Sequence, residues 1–201
     1  MRLHGMLLAV AALGATLSSQ AVPANLEVPD GYRPFLSAAA IGTQNYICLP
    51  TATGFGWTLF GPQATLFNDN DDQVITHFLS ANPVENGTPR ATWQHSKDTS
   101  RAFAVAIANS TDPNYVAPNS IPWLLLQVVG TQYGPDYGDK MTAARYIQRV
   151  NTSGGVAPSS GCAASTDVGK KALVPYTADY IFYRVHAQHE AETDSTRRIT
   201  Q

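Results

Sequence analysis

The chain has 201 residues, with 13 lysine and arginine side chains against 15 aspartate and glutamate side chains, and a formal net charge of −2. The chain is close to neutral and has no long basic stretch that could bind a phosphate backbone. We therefore expect no nucleic-acid partner. The 15 glycines, the 13 prolines and a charged fraction of 14% are typical of a β protein with many turns rather than a helical one.

The first 21 residues have the pattern of a secretory signal peptide. Arg2 and His4 give a short basic start, residues 6–17 form an apolar run, and Ser19-Gln20-Ala21 places small residues where a signal peptidase reads. The apolar run of about 12 residues is shorter than the roughly 20 that a membrane span needs. We therefore predict cleavage after Ala21, a secreted, extracellular protein, and no membrane span.

The remaining chain predicts one β domain. Residues 22–189 have the length of a single domain that can bury a core, and residues 190–201 are polar enough that we expect a mobile tail. Short segments rich in β-branched and aromatic residues recur at roughly ten-residue spacing between Gly, Pro and Asn turns. This pattern predicts an all-β fold, an antiparallel sandwich or barrel of short strands with little helix outside the signal peptide, and of the two we favour the sandwich. The predicted strands are 40–49, 55–60, 63–67, 73–79, 90–95, 101–108, 121–129, 140–150 and 174–183.

Three of these strands have distinctive sequence features. Within 40–49 the alternation puts Gln44 and Tyr46 on one face of the strand. Gly61-Pro62 is a turn pair, and we expect it to separate the second strand from the third. Residues 140–150 fit a helical face about as well as a strand, and we predict a strand.

The chain contains two cysteines, Cys48 and Cys162. In an oxidising compartment the simplest interpretation is one structural disulfide between them, with free thiols or a metal site as the alternatives. A metal site would need more soft ligands than two such cysteines offer, so we expect no metal there.

Three Asn-x-Ser/Thr sequons begin at Asn86, Asn109 and Asn151. They are candidate glycosylation sites if the host glycosylates secreted proteins. Sequons of this length also arise by chance, so they support secretion only weakly.

His77 is the best single candidate for a catalytic residue. It lies in the predicted strand 73–79 close to the acidic Asp72, and a histidine with a carboxylate partner can act as a base or a metal ligand. His95 lies one strand later and could converge with His77. The alternative interpretation is a hydrogen-bonded strand histidine beside a solvated acidic turn.

Trp93 and Arg149 are the candidate binding residues. Trp93 lies beside His95 and could offer a stacking face for a sugar ring, although such aromatics more often belong to the core. Arg149 lies among apolar residues, and a buried guanidinium requires an anionic or carbonyl partner, for which we expect Asp179. If no such partner exists, Arg149 lines a site.

Several distinctive blocks of residues are spread over nearly the whole chain after the predicted signal peptide. They are Gly42-x-Gln44-x-Tyr46-x-Cys48, Trp57, Pro62-x-Ala64-x-Leu66, His77, Pro122-Trp123-Leu124-Leu125, Ile147-Gln148-Arg149-x-Asn151-Thr152-x-Gly154-Gly155-x-Ala157-Pro158 with Cys162, and Val174-Pro175-Tyr176-Thr177-Ala178-Asp179-Tyr180-x-Phe182-Tyr183. With these blocks the sequence resembles DUF3455, a family of uncharacterised secreted proteins, and the last two blocks are the most specific.

The chain departs from this family in its middle segment. Members tend to have His-x-x-Gly-Pro-x-Trp followed by Asp-Gly-Ser, whereas here Phe78-Leu79-Ser80 and a longer insert follow His77. Some members are labelled malate dehydrogenase, and the sequence argues against an NAD-dependent enzyme. It has no Gly-x-Gly-x-x-Gly after a strand and no alternation of strands with helices.

We therefore expect a non-catalytic extracellular or cell-surface protein that binds an unknown ligand or serves a structural role, with carbohydrate as one candidate ligand. The alternative from another class is a metal-assisted hydrolase or oxidoreductase centred on His77. A third hypothesis is a barrel that holds a small apolar ligand. We expect no cofactor.

Overall fold

The computed structural model of the protein describes residues 21–186. Nearly all of the predicted signal peptide and the whole predicted tail lie outside these residues. Within them, no helix is long and apolar enough to cross a membrane.

The described residues form a closed antiparallel β-barrel. Each strand pairs with the next one along the chain, and the last pairs with the first. The prediction of an all-β antiparallel fold is thus confirmed. The strands are β1 Tyr32–Thr51, β2 Gly54–Phe67, β3 Gln73–Asn82, β4 Thr88–His95, β5 Arg101–Ser110, β6 Trp123–Gln132, β7 Tyr146–Gly154 and β8 Lys171–Val185, and short 3-10 turns lie at Ala24–Leu26, Pro83–Glu85, Lys140–Ala143 and Ser165–Asp167.

The preference for a sandwich was wrong, and so was the expectation that all strands are short. β1 has 20 residues and β8 has 15, and their mutual pairing closes the sheet on itself. Gly61-Pro62 is not a turn but lies inside β2, opposite an irregularity between Asn45 and Tyr46 where the register shifts. An irregularity of this kind lets a strand bend without ending, as closing a barrel requires.

The prediction of a strand across residues 140–150 was half right. Lys140–Ala143 forms a 3-10 turn, and β7 begins only at Tyr146. Met141 and Ala144 are buried like the apolar residues of β7, so the apolar pattern runs through the turn and the strand alike. Periodicity alone therefore could not show where the turn ends and the strand begins.

The interior of the barrel combines small side chains with large aromatic ones. Because successive side chains of a strand point to opposite faces, every second residue faces the interior. Gly42 of β1 faces Ala64 of β2, and a Cβ at Gly42 would lie 2.5 Å from the Ala64 Cα. The small residues leave room for buried rings. The rings are those of Trp93, Tyr176, Tyr180 and Phe182.

A second apolar cluster lies on the outside of β6 and β7. It contains Leu26 of the segment before β1 and Val116 of the β5–β6 connection, packed with Trp123. Gln148 donates from Nε2 to the Leu26 carbonyl oxygen at 2.7 Å and accepts from the Tyr183 hydroxyl. These bonds fasten the N-terminal segment across the outer face of the barrel.

One end of the barrel is covered by residues 153–158, which we call the Gly-Gly loop. The Tyr46 hydroxyl donates to the Gly155 carbonyl oxygen at 2.7 Å. Two residues after the end of this loop, the Ser160 carbonyl oxygen accepts from Trp57 Nε1 at 2.9 Å. The predicted disulfide between Cys48 and Cys162 is confirmed, with the two Cα atoms 5.5 Å apart.

Replacing both cysteines, as Cys48→Ala with Cys162→Ala, should lower the free energy of unfolding. The bridge spans a sequence separation of 114 residues. In the chain-entropy model, a bridge that closes a loop of this length stabilises the folded state by about 4.8 kcal/mol, because it restricts the unfolded chain. Urea denaturation monitored by circular dichroism measures the change, and the wild-type protein with its disulfide reduced serves as the control. A loss below about 1 kcal/mol would contradict the assigned role of the bridge.

Candidate functional site

His77 lies inside the barrel, with only 2% of its surface exposed. Its ring stacks on Trp93 with centroids 4.1 Å apart and meets the Tyr180 ring edge-on at 5.2 Å. Nδ1 lies 2.9 Å from the Thr92 carbonyl oxygen. Because a carbonyl can only accept, Nδ1 carries the proton and the neutral ring keeps an acceptor at Nε2.

The environment of His77 keeps it uncharged. Burial lowers its pKa from the ordinary 6.5 to about 3; the Thr92 hydrogen bond opposes this shift and the Arg149 charge adds to it. A histidine with this pKa does not take up a proton near neutral pH. His77 is therefore a neutral member of an aromatic stack.

His95 is engaged elsewhere. It is diagonal to His77 on the inner face of the β3–β4 pair, because His77 faces Trp93 in the register. Its Nδ1 lies 3.0 Å from Asp98 Oδ1. Asp98 Oδ2 in turn accepts from the Lys140 backbone N–H at 2.8 Å. This chain of contacts fixes the start of the turn Lys140–Ala143.

Asp72, the third catalytic candidate, lies in the exposed turn between β2 and β3. Its Oδ2 accepts from Asn68 Nδ2 at 3.3 Å. The structure thus does not bring it into contact with His77. The side chains around the His77 ring are aromatic, which does not fit a metal site. Across residues 21–186, no group of three or more His, Cys, Asp or Glu side chains is placed to hold a metal ion.

Arg149 projects toward the barrel interior from β7, opposite Tyr180 of β8. Its Nε and Nη2 both donate to the Pro122 carbonyl oxygen, at 3.2 and 2.8 Å. The predicted pair with Asp179 was wrong. Asp179 faces Val150 in the register, so it points to the other side of the sheet, where it accepts from Asn151 Nδ2 at 2.7 Å.

The three sequon asparagines are all exposed. Asn86 ends the turn Pro83–Glu85 in a left-handed conformation. The Asn109 backbone carbonyl accepts from Asn25 Nδ2. Asn151 uses its own Nδ2 in the bond to Asp179, so a glycan there would displace that contact. Glycosylation stays a prediction at each position.

A cleft of about 680 Å³ opens at the barrel end opposite the Gly-Gly loop, and we call it the cationic cleft. It lies where β1 begins and β8 ends. Its charged and aromatic lining consists of Phe35, Tyr133, Asp139, Lys140, Arg145 and Arg184.

The three cations of this cleft are exposed, and none forms an ion pair with any residue in the described range 21–186. The Arg184 guanidinium lies over the Phe35 ring, 5.6 Å from its centroid. Arg145 Nη1 donates to the carbonyl oxygens of Thr142 and Ala144 at 2.8 and 2.9 Å. Both guanidinium groups are thus held in place while keeping nitrogens free to face solvent.

Sequence reasoning missed this cleft, since none of its cations was singled out. Its lining comes from the start of β1, the β6–β7 connection and the end of β8, which only barrel closure brings together. No local spacing joins Phe35 to Arg184. The contact between the Arg184 guanidinium and the Phe35 ring could be inferred only once β1 was known to pair with β8.

The described residues thus form an antiparallel β-barrel with one disulfide, a buried histidine and a cationic cleft at one end. Residues 29–184 match the family model described as "Protein of unknown function (DUF3455)". The chain belongs to the DUF3455 family, as its sequence blocks indicated. No curated protein and no solved structure matches it.

The lowered pKa of His77 predicts a loss of stability on mild acidification. The unfolded chain takes up a proton at His77 below about pH 6.5, whereas the folded chain does so only near pH 3. Stability should therefore fall by about 1.4 kcal/mol per pH unit as pH drops through this window.

The His77→Gln variant should lose this dependence between pH 6.5 and 5, because glutamine can bond the Thr92 carbonyl but does not titrate. Urea denaturation at several pH values measures the slope for both proteins. The carboxylates whose pKa is lowered to about 2, such as Glu85 and Asp167, act at lower pH and do not obscure the window. Equal slopes for the variant and the wild type would contradict the prediction.

Proposed function

We propose that the protein is a secreted, non-catalytic binding protein whose cationic cleft holds an anionic ligand, and that acidic carbohydrate is the class of ligand it takes. The observation that carries the proposal is the set of three exposed cations around one cleft, none of which forms an ion pair with a described residue. Secretion rests on the signal-peptide pattern of the first 21 residues.

The size of the cleft supports a small-molecule or oligosaccharide ligand. Its volume of about 680 Å³ lies within the range of roughly 300–1,000 Å³ that is common for ligand sites. The barrel interior is less suited to an apolar ligand, because the rings of Trp93, Tyr180 and Phe182 already occupy it. The cationic cleft is therefore a better site for a ligand than the interior.

The charges favour an anionic ligand. Lys140, Arg145 and Arg184 outnumber the single carboxylate of Asp139 in the lining. Arginine binds carboxylates in a two-pronged geometry and is always charged, so its preference for anions persists at any physiological pH.

The aromatic groups favour a sugar. Tyr133 is 63% exposed and Phe35 is partly buried at the cleft, so each contributes ring surface to the lining. Such rings offer flat apolar surface to the C–H face of a pyranose, while the cations bind its carboxylate groups. Cations and rings together bind and orient a ligand, and this is the basis for proposing binding rather than catalysis.

Oligogalacturonate should bind the full chain more tightly than its methyl ester, which has the same sugar backbone without the charge. Isothermal titration calorimetry at low and high salt measures both, and raising the salt should weaken the interaction with the acid form. Equal binding of the acid and the ester would overturn the choice of an anionic ligand.

The Arg184→Gln variant should bind oligogalacturonate about tenfold more weakly, because a charged hydrogen bond is lost. The matched control is Lys171→Gln, which removes an exposed positive charge at the far end of β8. If Lys171→Gln weakened binding as much as Arg184→Gln, the interaction would be a general charge effect and the cleft would lose its role.

A further inference from the structure

Gln44 is a buried polar residue without a partner. It lies in β1 with 3% of its surface exposed, and its Nε2 makes no hydrogen bond to any residue the structure describes. A buried donor without an acceptor destabilises the folded state. Because nearly all buried polar groups are hydrogen-bonded, a water molecule or an ion is the expected partner of Gln44 Nε2.

Gln44 lies under the Gly-Gly loop together with Ile121 and Tyr176. A Cβ built on Gly155 would lie 3.2 Å from Gln44 Cγ, 3.0 Å from Ile121 Cγ2 and 2.9 Å from Tyr176 Cβ. Gly155 also has a φ of +81°, so glycine meets both the steric and the backbone requirement at this point. The three side chains thus converge on one place at the covered end of the barrel.

Arg149 is linked to the same end of the barrel through the residue that follows Ile121. The carbonyl that its Nε and Nη2 bind belongs to Pro122, the neighbour of Ile121. Its Nη1 makes no hydrogen bond to residues 21–186, and no described carboxylate forms an ion pair with it. The guanidinium is half-buried, and its hydrogen bonds go to a carbonyl oxygen rather than to an anion.

The charge of Arg149 affects the pKa values of Tyr46, Tyr176 and His77. Burial raises the pKa of Tyr46 and Tyr176, and the Arg149 charge acts against that rise in both. The same charge adds to the burial that lowers the pKa of His77. Arg149 therefore generates a positive potential across this end of the interior.

We propose that Gln44 Nε2 and Arg149 Nη1 together hold a small monovalent anion of the size of chloride or bromide at the end of the barrel under the Gly-Gly loop. An anion satisfies both donors and neutralises the guanidinium, whereas a water molecule supplies an acceptor without the charge. The site lies at the opposite end of the barrel from the cationic cleft, so it does not depend on the proposed ligand there.

Crystals of the full chain grown with sodium bromide test the site directly. An anomalous bromide peak within hydrogen-bonding distance of both Gln44 Nε2 and Arg149 Nη1 is the expected result. Ordered water there, with no anomalous signal, would overturn the proposal.

A solution measurement gives a second test. The midpoint of thermal unfolding should rise with chloride and level off, relative to sodium gluconate at equal ionic strength, because gluconate is too large to enter. The Gln44→Leu variant, of similar volume, should raise the apparent chloride dissociation constant at least tenfold. The control Gln63→Leu, in the neighbouring strand β2, should leave it unchanged. A chloride effect of equal size in wild type and Gln44→Leu would overturn the proposal.

Discussion

The pairing of β1 with β8 is the constraint on which the rest of the molecule depends. It runs from Tyr32 opposite Val185 to Ile47 opposite Lys171 and joins the two ends of the domain. Without it the eight strands would be an open meander with two exposed edges. Closure gives the sheet a defined inside, and it brings the Phe35 ring beneath the Arg184 guanidinium. The cationic cleft thus exists because the sheet is closed.

The barrel interior is filled chiefly by the protein's own side chains. Small residues, glycine and alanine, on β1, β2, β5 and β8 occupy little of the interior volume. A few large aromatic rings fill the volume that they leave. His77 is accommodated by stacking on Trp93 and by losing its charge, which is the usual outcome when an ionisable group is buried without a counter-ion. Arg149 is accommodated differently, by donating from Nε and Nη2 to the Pro122 carbonyl oxygen.

Much of the fold could be predicted from the sequence, for reasons that are local. The count of two cysteines indicated the disulfide, and alternation placed most strands. The choice between sandwich and barrel could not be made, because alternation reports which face a residue is on and not which distant strand lies beside it. The same limit explains the wrong Arg149–Asp179 pair, whose members lie on opposite faces of neighbouring strands. The same limit hid the cationic cleft. The alternation that put Gln44 and Tyr46 on one face of β1 also did not indicate whether that face points inward.

The disulfide has a topological consequence. Cys48 lies in β1 and Cys162 lies between β7 and β8, so the backbone from β2 to β7 and the bridge together form one covalent ring. A single cut by a protease at an exposed turn within that ring, such as the turn at Asp71, would open the ring but leave one covalently connected molecule. The nicked chain would keep all eight strands attached and the β1–β8 seam in place. Such a barrel can survive a backbone break that would divide an unbridged chain into two separable pieces.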